Sequence, residues 1–412
     1  MSRLYCRYMT NAAPGGPPDI AGPHFDRNPS PAYAWLREHS PAHRMPLPGG
    51  AFAWLITRHE DAVPALTDPR LSKCPAHGNP VWRASGMGLP LDHRPSLGQH
   101  MVNLDEPDHT RLRRLAQGAF SSRRIDALRP RIQAVTDELL DELADRETAD
   151  LIGDFAYPLP ITIICEILGI ATEHRDRIQR WVAVLDASAD DAGGDVLAVT
   201  DAMDAFVGEQ VDAAGARPAD SDLLAELVVR ERAGELSRDE VTSMAFLLLV
   251  GGHETTTALI GCAALELLRD VRLAAAVRDD PTMVAKLVEE SLRRDTPVRN
   301  ATWRFPTEPV VIAGQPMRPG DPILVSLLAA NRDPAAFDDP DAIRPGRPTR
   351  HLAFGIGRHS CLGAGLARTE AAIAIGTLAR RFPDMRLRVA DDTLRWWESP
   401  IMRGLYELPV TL

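Results

Sequence analysis

Cysteine is scarce in this chain of 412 residues: Cys6, Cys74, Cys165, Cys262 and Cys361 are scattered and odd in number. That usage argues against a disulfide framework and suits a reducing compartment. Positive charge is in deficit, with 46 Lys and Arg against 57 Asp and Glu. The net charge of −11 argues against nucleic acid or an anionic membrane as the main partner. Long apolar runs are missing, and stretches such as 244–250 fall far short of the ~20 residues a membrane helix needs. No basic segment leads into an apolar one, so no secretion signal is expected. Internal repeats and interdomain linkers are not evident. What remains is a cytoplasmic chain, 45% hydrophobic and able to bury a large core. Residues 1–30, rich in Pro and Gly, read as a flexible N-terminal arm, and 31–412 as a single, mainly helical domain.

An apolar run with Trp54 predicts a short strand over 51–56, followed by a helix over 60–66. Residues 74–101 carry Pro, Gly and His with almost no pattern, a loop long enough to cover a binding site. Seven arginines fall between 105 and 131, and the ordinary reading of such a run is a solvated helix face. His109 and Arg113, four apart, share one side of that helix. Amphipathic helices fill most of 132–234, broken at Pro158, Pro160, Gly193-Gly194 and Pro218.

The capping box Ser237-x-x-Glu240 starts a buried helix that can run to Asp270, roughly 50 Å. Its middle reads Gly251-Gly252-His253-Glu254-Thr255-Thr256-Thr257, which is poor helix chemistry. Threonine can bond back to the preceding turn and bend a helix. A weak, polar centre in a buried helix points to function or strain. His253-Glu254 lacks the second histidine of the zinc-protease motif, since position 257 is Thr. A further helix begins at Asp280-Pro281, carries Glu290 and Arg293 on one face, and ends before Pro297. Residues 298–325 read as a small β-region, and 330–350 as a long ordered loop.

That loop leads into Phe354-Gly355-Ile356-Gly357-Arg358-His359-Ser360-Cys361-Leu362-Gly363 and then an alanine-rich helix. Glycine lets backbone approach a flat ligand and take up positive φ. A thiol at a helix start is favoured as the thiolate, the form that binds metal. One cysteine cannot make a zinc site or an iron–sulfur cluster, whereas haem iron needs one axial ligand. A buried free cysteine beside a turn is the other reading of the same stretch.

Together these segments resemble one family over residues 54–409: the haem-thiolate monooxygenases called cytochrome P-450. Phe354, Gly355, Gly357, Cys361 and Gly363 meet its Phe-Gly-x-Gly-x-x-x-Cys-x-Gly loop. Gly251, Gly252, Glu254, Thr255 and Thr256 meet its oxygen-activation motif, and Glu290 and Arg293 its Glu-x-x-Arg signature. The resemblance, closest to soluble actinobacterial members, implies a mainly α fold with a small β-region. Haem b (iron protoporphyrin IX) then lies between the central helix and the cysteine loop, with Cys361 as metal ligand. It further implies that His109, Arg113, Arg304 and His359 hold the haem propionates, with Arg299 as the substitute for Arg304 in another register. Glu254 and Thr255 become the catalytic proton-delivery pair. Glu290 and Arg293 become a structural network with Arg347.

The implied reaction puts one oxygen atom of O₂ into a hydrophobic small molecule, a secondary metabolite by analogy, through hydroxylation or epoxidation. NAD(P)H electrons are expected to arrive through a separate ferredoxin and ferredoxin reductase, the ferredoxin docking on the basic stretch 111–131 with Arg358. A monomer is expected. Trp82, Met87, Leu89, Leu248, Gly252, Val298, Ala301, Ile401 and Met402 are candidate substrate contacts, with ordinary core packing as the alternative for each. A haem-thiolate oxidase that couples rings or rearranges substrate is the competing class, weakened by the intact Glu254-Thr255 pair. A haem sensor and a nucleotide-binding dehydrogenase fit less well; for the latter, Ser360 stands where a third glycine belongs.

Overall fold

The computed structural model describes residues 17–47, 50–85, 94–186, 196–348 and 350–412. Its centre is a stack of helices: Ser122–Leu143, Glu254–Arg269, Pro281–Arg294 and Ala364–Arg381. Their apolar faces meet in one core, where Ile132, Leu140, Ile260, Leu287, Ile375 and Leu378 are wholly buried. Ala371, Ala374 and Gly376 keep the last helix slim, so its neighbours approach closely. A second core gathers around Arg238–Gly251 with Ile161, Ile164, Phe206 and Leu224. Phe120 and Ile167 pack against both.

The capping box forms as expected. The Glu240 N–H donates to Ser237 Oγ at 3.2 Å, and the Ser237 N–H to Glu240 Oε2 at 2.8 Å. The expected continuous helix to Asp270 is instead two segments, Arg238–Gly251 and Glu254–Arg269, parted at Gly252-His253. Threonine back-bonding marks the break: Thr255 Oγ1 donates to the Gly251 carbonyl at 3.1 Å, and Thr257 Oγ1 to that of His253 at 3.0 Å. By length and composition Arg238–Arg269 passes as a membrane span, yet 67% of its most apolar window is buried inside the fold. It is a core helix.

Strand Ala42–Pro46 pairs antiparallel with Phe52–Ile56, which pairs parallel with Ile323–Val325. That parallel pairing lays the beginning of the chain against the β-region predicted at 298–325. Single bridges, Val298 to Met402, Asn300 to Ser326 and Arg304 to Ile323, thread the intervening segment between this sheet and the C-terminal loop. Of the arm expected over 1–30, the described residues 17–30 pack against the rest of the chain, with Ile20 and Phe25 in a buried cluster. Pro23–Arg27 and Ser30–His39 are helices, and Asp26 is buried 2.6 Å from Arg299 while its carbonyl accepts from Arg403. Those two arginines draw the segment in.

Candidate active site around Cys361

The loop before Cys361 turns on Gly355 and Gly357, at φ +65° and +77°, where side chains other than glycine are strained. The Cys361 N–H donates to the Phe354 carbonyl at 2.8 Å, closing the turn just ahead of the helix Ala364–Arg381. The thiol has open surface and yet protein around it on most sides, as a residue on the wall of an interior space does. Burial pushes its pKa up. The N–H groups of Gly363 and Ala364, with Arg113 and Arg368, act in the opposite direction without fully offsetting it. A metal cation bound to sulfur would reverse that balance.

A buried cluster of cationic groups belongs to the same site. The rings of His109 and His359 lie 4.2 Å apart. Lys73, His100 and Arg304 are all buried. Burial and the charges of Lys73, His109, Arg304 and Arg358 drive His359 down to about 2. Burial, and secondarily Lys73, takes His100 down to about 4, and burial takes Arg304 down to about 10. His100 Nδ1, His109 Nδ1 and Arg304 Nε lack a hydrogen-bond partner. Opposing carboxylates are few: Asp105 acts on Lys73 and Arg304, and Glu106 stands 3.5 Å from His109 and 3.9 Å from Arg358. A buried lysine and arginine, beside neutral imidazoles whose nitrogens have hydrogen bonds to give, suit an anionic ligand. With the thiol of Cys361 these residues fit a thiolate-ligated haem bearing two propionates.

Arg299 does not join the cluster, because it is committed to Asp26. Sequence reading missed Lys73 and His100. Lys73, one of two lysines in the chain, donates to the carbonyls of Thr302 and Trp303 at 2.8 and 2.7 Å and to the Thr302 hydroxyl, so it props the segment before Arg304. No short spacing links it to that segment.

The Glu-x-x-Arg pair lies deep beneath the loop. Arg293 grips Glu290 through two bonds of 3.0 and 2.8 Å, and Arg347 approaches the same carboxylate at 2.9 Å. Arg293 also donates to the carbonyls of Asn331, Pro340 and Ala342. Asn331 in turn accepts the Leu352 N–H at 2.7 Å, which carries the brace to the cysteine loop. A parallel brace went unseen in the sequence: Glu289 pairs with His351 at 3.2 Å and Arg368 at 2.6 Å, and Arg368 covers the Phe354 ring.

At the helix break the two glycines differ. A Cβ on Gly252 would lie 2.4 Å from the Leu248 carbonyl and 2.8 Å from Ile164 Cγ1, whereas one on Gly251 meets nothing within 4 Å. Gly252 therefore admits a neighbouring helix, and Gly251 rather than the expected Gly252 has open space beside it. Thr255 bonds back to Gly251. Glu254, with His253 and Thr257, lines a cavity of about 210 Å³.

Of the candidate substrate contacts, Val298 and Met402 are bridged, the Asn300 N–H reaches the Ile401 carbonyl at 3.4 Å, and Ala301 bonds to Val325. Leu248 is buried in the second core. Trp82 departs from its prediction: it is 1% exposed, with Phe305 at 4.6 Å and Trp303 at 5.7 Å edge-on, an aromatic core rather than a pocket wall. Met87 and Leu89 lie outside the described residues.

A family model described as cytochrome P-450 matches residues 195–389. Cytochrome P-450 107B1 of Saccharopolyspora erythraea is 44% identical over 382 residues, covering 92% of this chain and 93% of the relative. A myxobacterial cytochrome P-450 solved with myristic acid superposes with TM-score 0.90 at 40% identity, covering 96% and 98% of the two chains. The monooxygenase TamI of the same family, solved with tirandamycin C, gives 0.87 at 40% identity, covering 94% and 98%.

Proposed function

This chain belongs to the cytochrome P-450 family, and from that premise we propose that it inserts one oxygen atom of O₂ into a hydrophobic secondary metabolite, by hydroxylation or epoxidation, in the cytoplasm. The enzyme is a monooxygenase with haem b as cofactor and O₂ as co-substrate. Bound haem supplies dioxygen binding and activation, with thiolate ligation favouring O–O cleavage.

In this reading the Cys361 thiolate would hold the haem iron, its charge steadied by the N–H groups of Gly363 and Ala364 and by Arg113. His109, Arg113, Arg304 and His359 hold the propionates, joined by His100. Glu254 takes protons from the cavity it lines, and the Thr255 hydroxyl passes them on at the helix break. Val298, Ala301, Ile401 and Met402, drawn together by the β-region and the C-terminal loop, orient an apolar substrate, with Leu248 on the central helix. The relatives that hold myristic acid and tirandamycin C support a ligand of that kind.

The observation that carries this reading is the Cys361 thiol at a helix start beside buried Lys73, Arg304 and a group of histidines short of carboxylates. Mass spectrometry after turnover in ¹⁸O₂ tests it: product one labelled oxygen heavier is expected, and unlabelled coupled or rearranged product overturns it. Cys361→Ala should lose the red-shifted Soret band with carbon monoxide; a retained band sinks the ligand assignment.

A further inference from the structure

His253 is fully buried at the helix break, and none of the roles above uses it. Its Nδ1 lies 2.7 Å from the Leu249 carbonyl, which accepts only, so Nδ1 carries the proton and Nε2 is left as an acceptor. Among the described residues no group donates to Nε2. Tyr157 packs edge-on against the ring at 5.6 Å, but its hydroxyl donates to the Arg175 carbonyl at 3.0 Å. The Thr257 hydroxyl is likewise engaged, with the His253 carbonyl. Burial holds the imidazole near a pKa of about 4 and therefore neutral.

This orphan acceptor belongs to a residue that lines the 210 Å³ cavity shared with Glu254. Gln179, Glu398, Ser399 and Tyr406 supply further polar walls; Gln179 and Tyr406 are exposed, whereas His253 is buried. A buried acceptor left without a donor carries an uncompensated desolvation cost. The cavity is walled mainly by apolar side chains such as Ile152, Val182 and Leu405, but its size admits water, and His253 with Glu254 and Gln179 offers that water polar partners that can remove the cost.

We propose that His253 is the positioning residue of a proton entry path: its Nε2 accepts from an ordered water that also bonds to the Glu254 carboxylate. A proton leaves that water for Glu254, and one passed along the cavity from solvent restores it; no electrons move. This rests on the reading of Glu254 and Thr255 as the proton-delivery pair.

The test uses the holoprotein with a surrogate ferredoxin and its reductase, without added substrate. Hydrogen peroxide formed per NADH oxidised is measured in H₂O and in D₂O. His253→Phe should raise the peroxide share severalfold and enlarge the solvent isotope effect while keeping the thiolate spectrum with carbon monoxide. His253→Gln, whose amide oxygen can accept the same bond, should restore most of the loss, which a purely structural role would not predict. If Thr255→Ala raises peroxide and His253→Phe does not, this inference is overturned and the Glu254–Thr255 reading stands. If neither variant changes it, that reading falls as well. A crystal structure of the wild type gives an independent answer. Water bonded to both Nε2 and Glu254 is expected, and a dry cavity or a protein donor on Nε2 overturns the inference even if the Phe variant fails to fold.

Discussion

Arg299 holds Asp26 at 2.6 Å over the ring of Phe25, while Arg304 leaves its Nε idle within reach of the charges of Asp105 and Arg358. Their variants should separate accordingly. If Arg304 holds a propionate as proposed, Arg304→Gln should remove one charge-assisted contact, worth about 2 kcal/mol or roughly thirtyfold in haem affinity. Haem transfer to apomyoglobin measures it, and an unchanged transfer rate refutes the assignment. Arg299→Gln strands a buried carboxylate and should cost about 3–5 kcal/mol of stability with little effect on haem affinity of the folded protein. Glu370 gives a pH signature. It is wholly buried on the helix after Cys361, Oε2 has no partner, and burial raises its pKa to about 8. An unfolded glutamate titrates near ~4.3, so between those values the folded state keeps a proton that the unfolded state has lost. Stability should therefore fall as pH rises through that window. Glu370→Gln keeps the shape without titrating. Wild type and variant should melt alike near the low end, and the variant should gain a growing advantage toward about pH 8; parallel melting curves across the window count against it.

The central helix is where local chemistry and packing meet. Two glycines and three threonines make a continuous helix unfavourable there, and the break appears at Gly252-His253. Which glycine serves packing and which leaves space depends on the helix Pro158–Leu168, whose Ile164 abuts Gly252. Gly252→Ala should cost about 1–3 kcal/mol, because its Cβ meets backbone and a buried isoleucine. Gly251→Ala meets nothing within 4 Å and should leave the melting temperature nearly unchanged. Equal effects from thermal melts would mean that Ile164 gives way. The helix Pro281–Arg294 shows the same division. The Thr282 N–H donates to Asp280 Oδ1 at 2.8 Å, an N-cap readable from Asp-Pro, and Glu290 and Arg293 pair at the predicted spacing. Their burial, which turns a weak surface pair into a brace for the loop, comes from the packing of 331–352 over them.

Across the whole molecule the arginine-rich stretch is less available than its sequence suggests. Arg111 pairs with Asp108 and Glu240, Arg124 with Glu226, Arg129 with Asp126, and Arg131 with Glu166. The expected ferredoxin surface therefore shifts toward the exposed Arg114 and Arg123, with Arg358 partly answered by Glu106 at 3.9 Å. Reversing charge at Arg114 and Arg123 should slow reduction by ferredoxin and flatten its dependence on ionic strength. Reduction rates indifferent to both changes would remove the surface. The sequence by itself determined what depends on neighbours within a turn: the glycine-bounded cysteine, the helix caps, the weak centre, and His109 and Arg113 on one face. It did so because backbone conformation, capping and i,i+4 contacts are settled over a few residues. Only the tertiary structure decided which distant groups share a site. Lys73 and His100 joined His359, Arg299 went to Asp26, Trp82 went into an aromatic core, and residues 23–30 packed onto the fold. Those outcomes follow from the parallel pairing of Phe52–Ile56 with Ile323–Val325 and from burial of unlike charges, neither of which leaves a periodic trace along the chain.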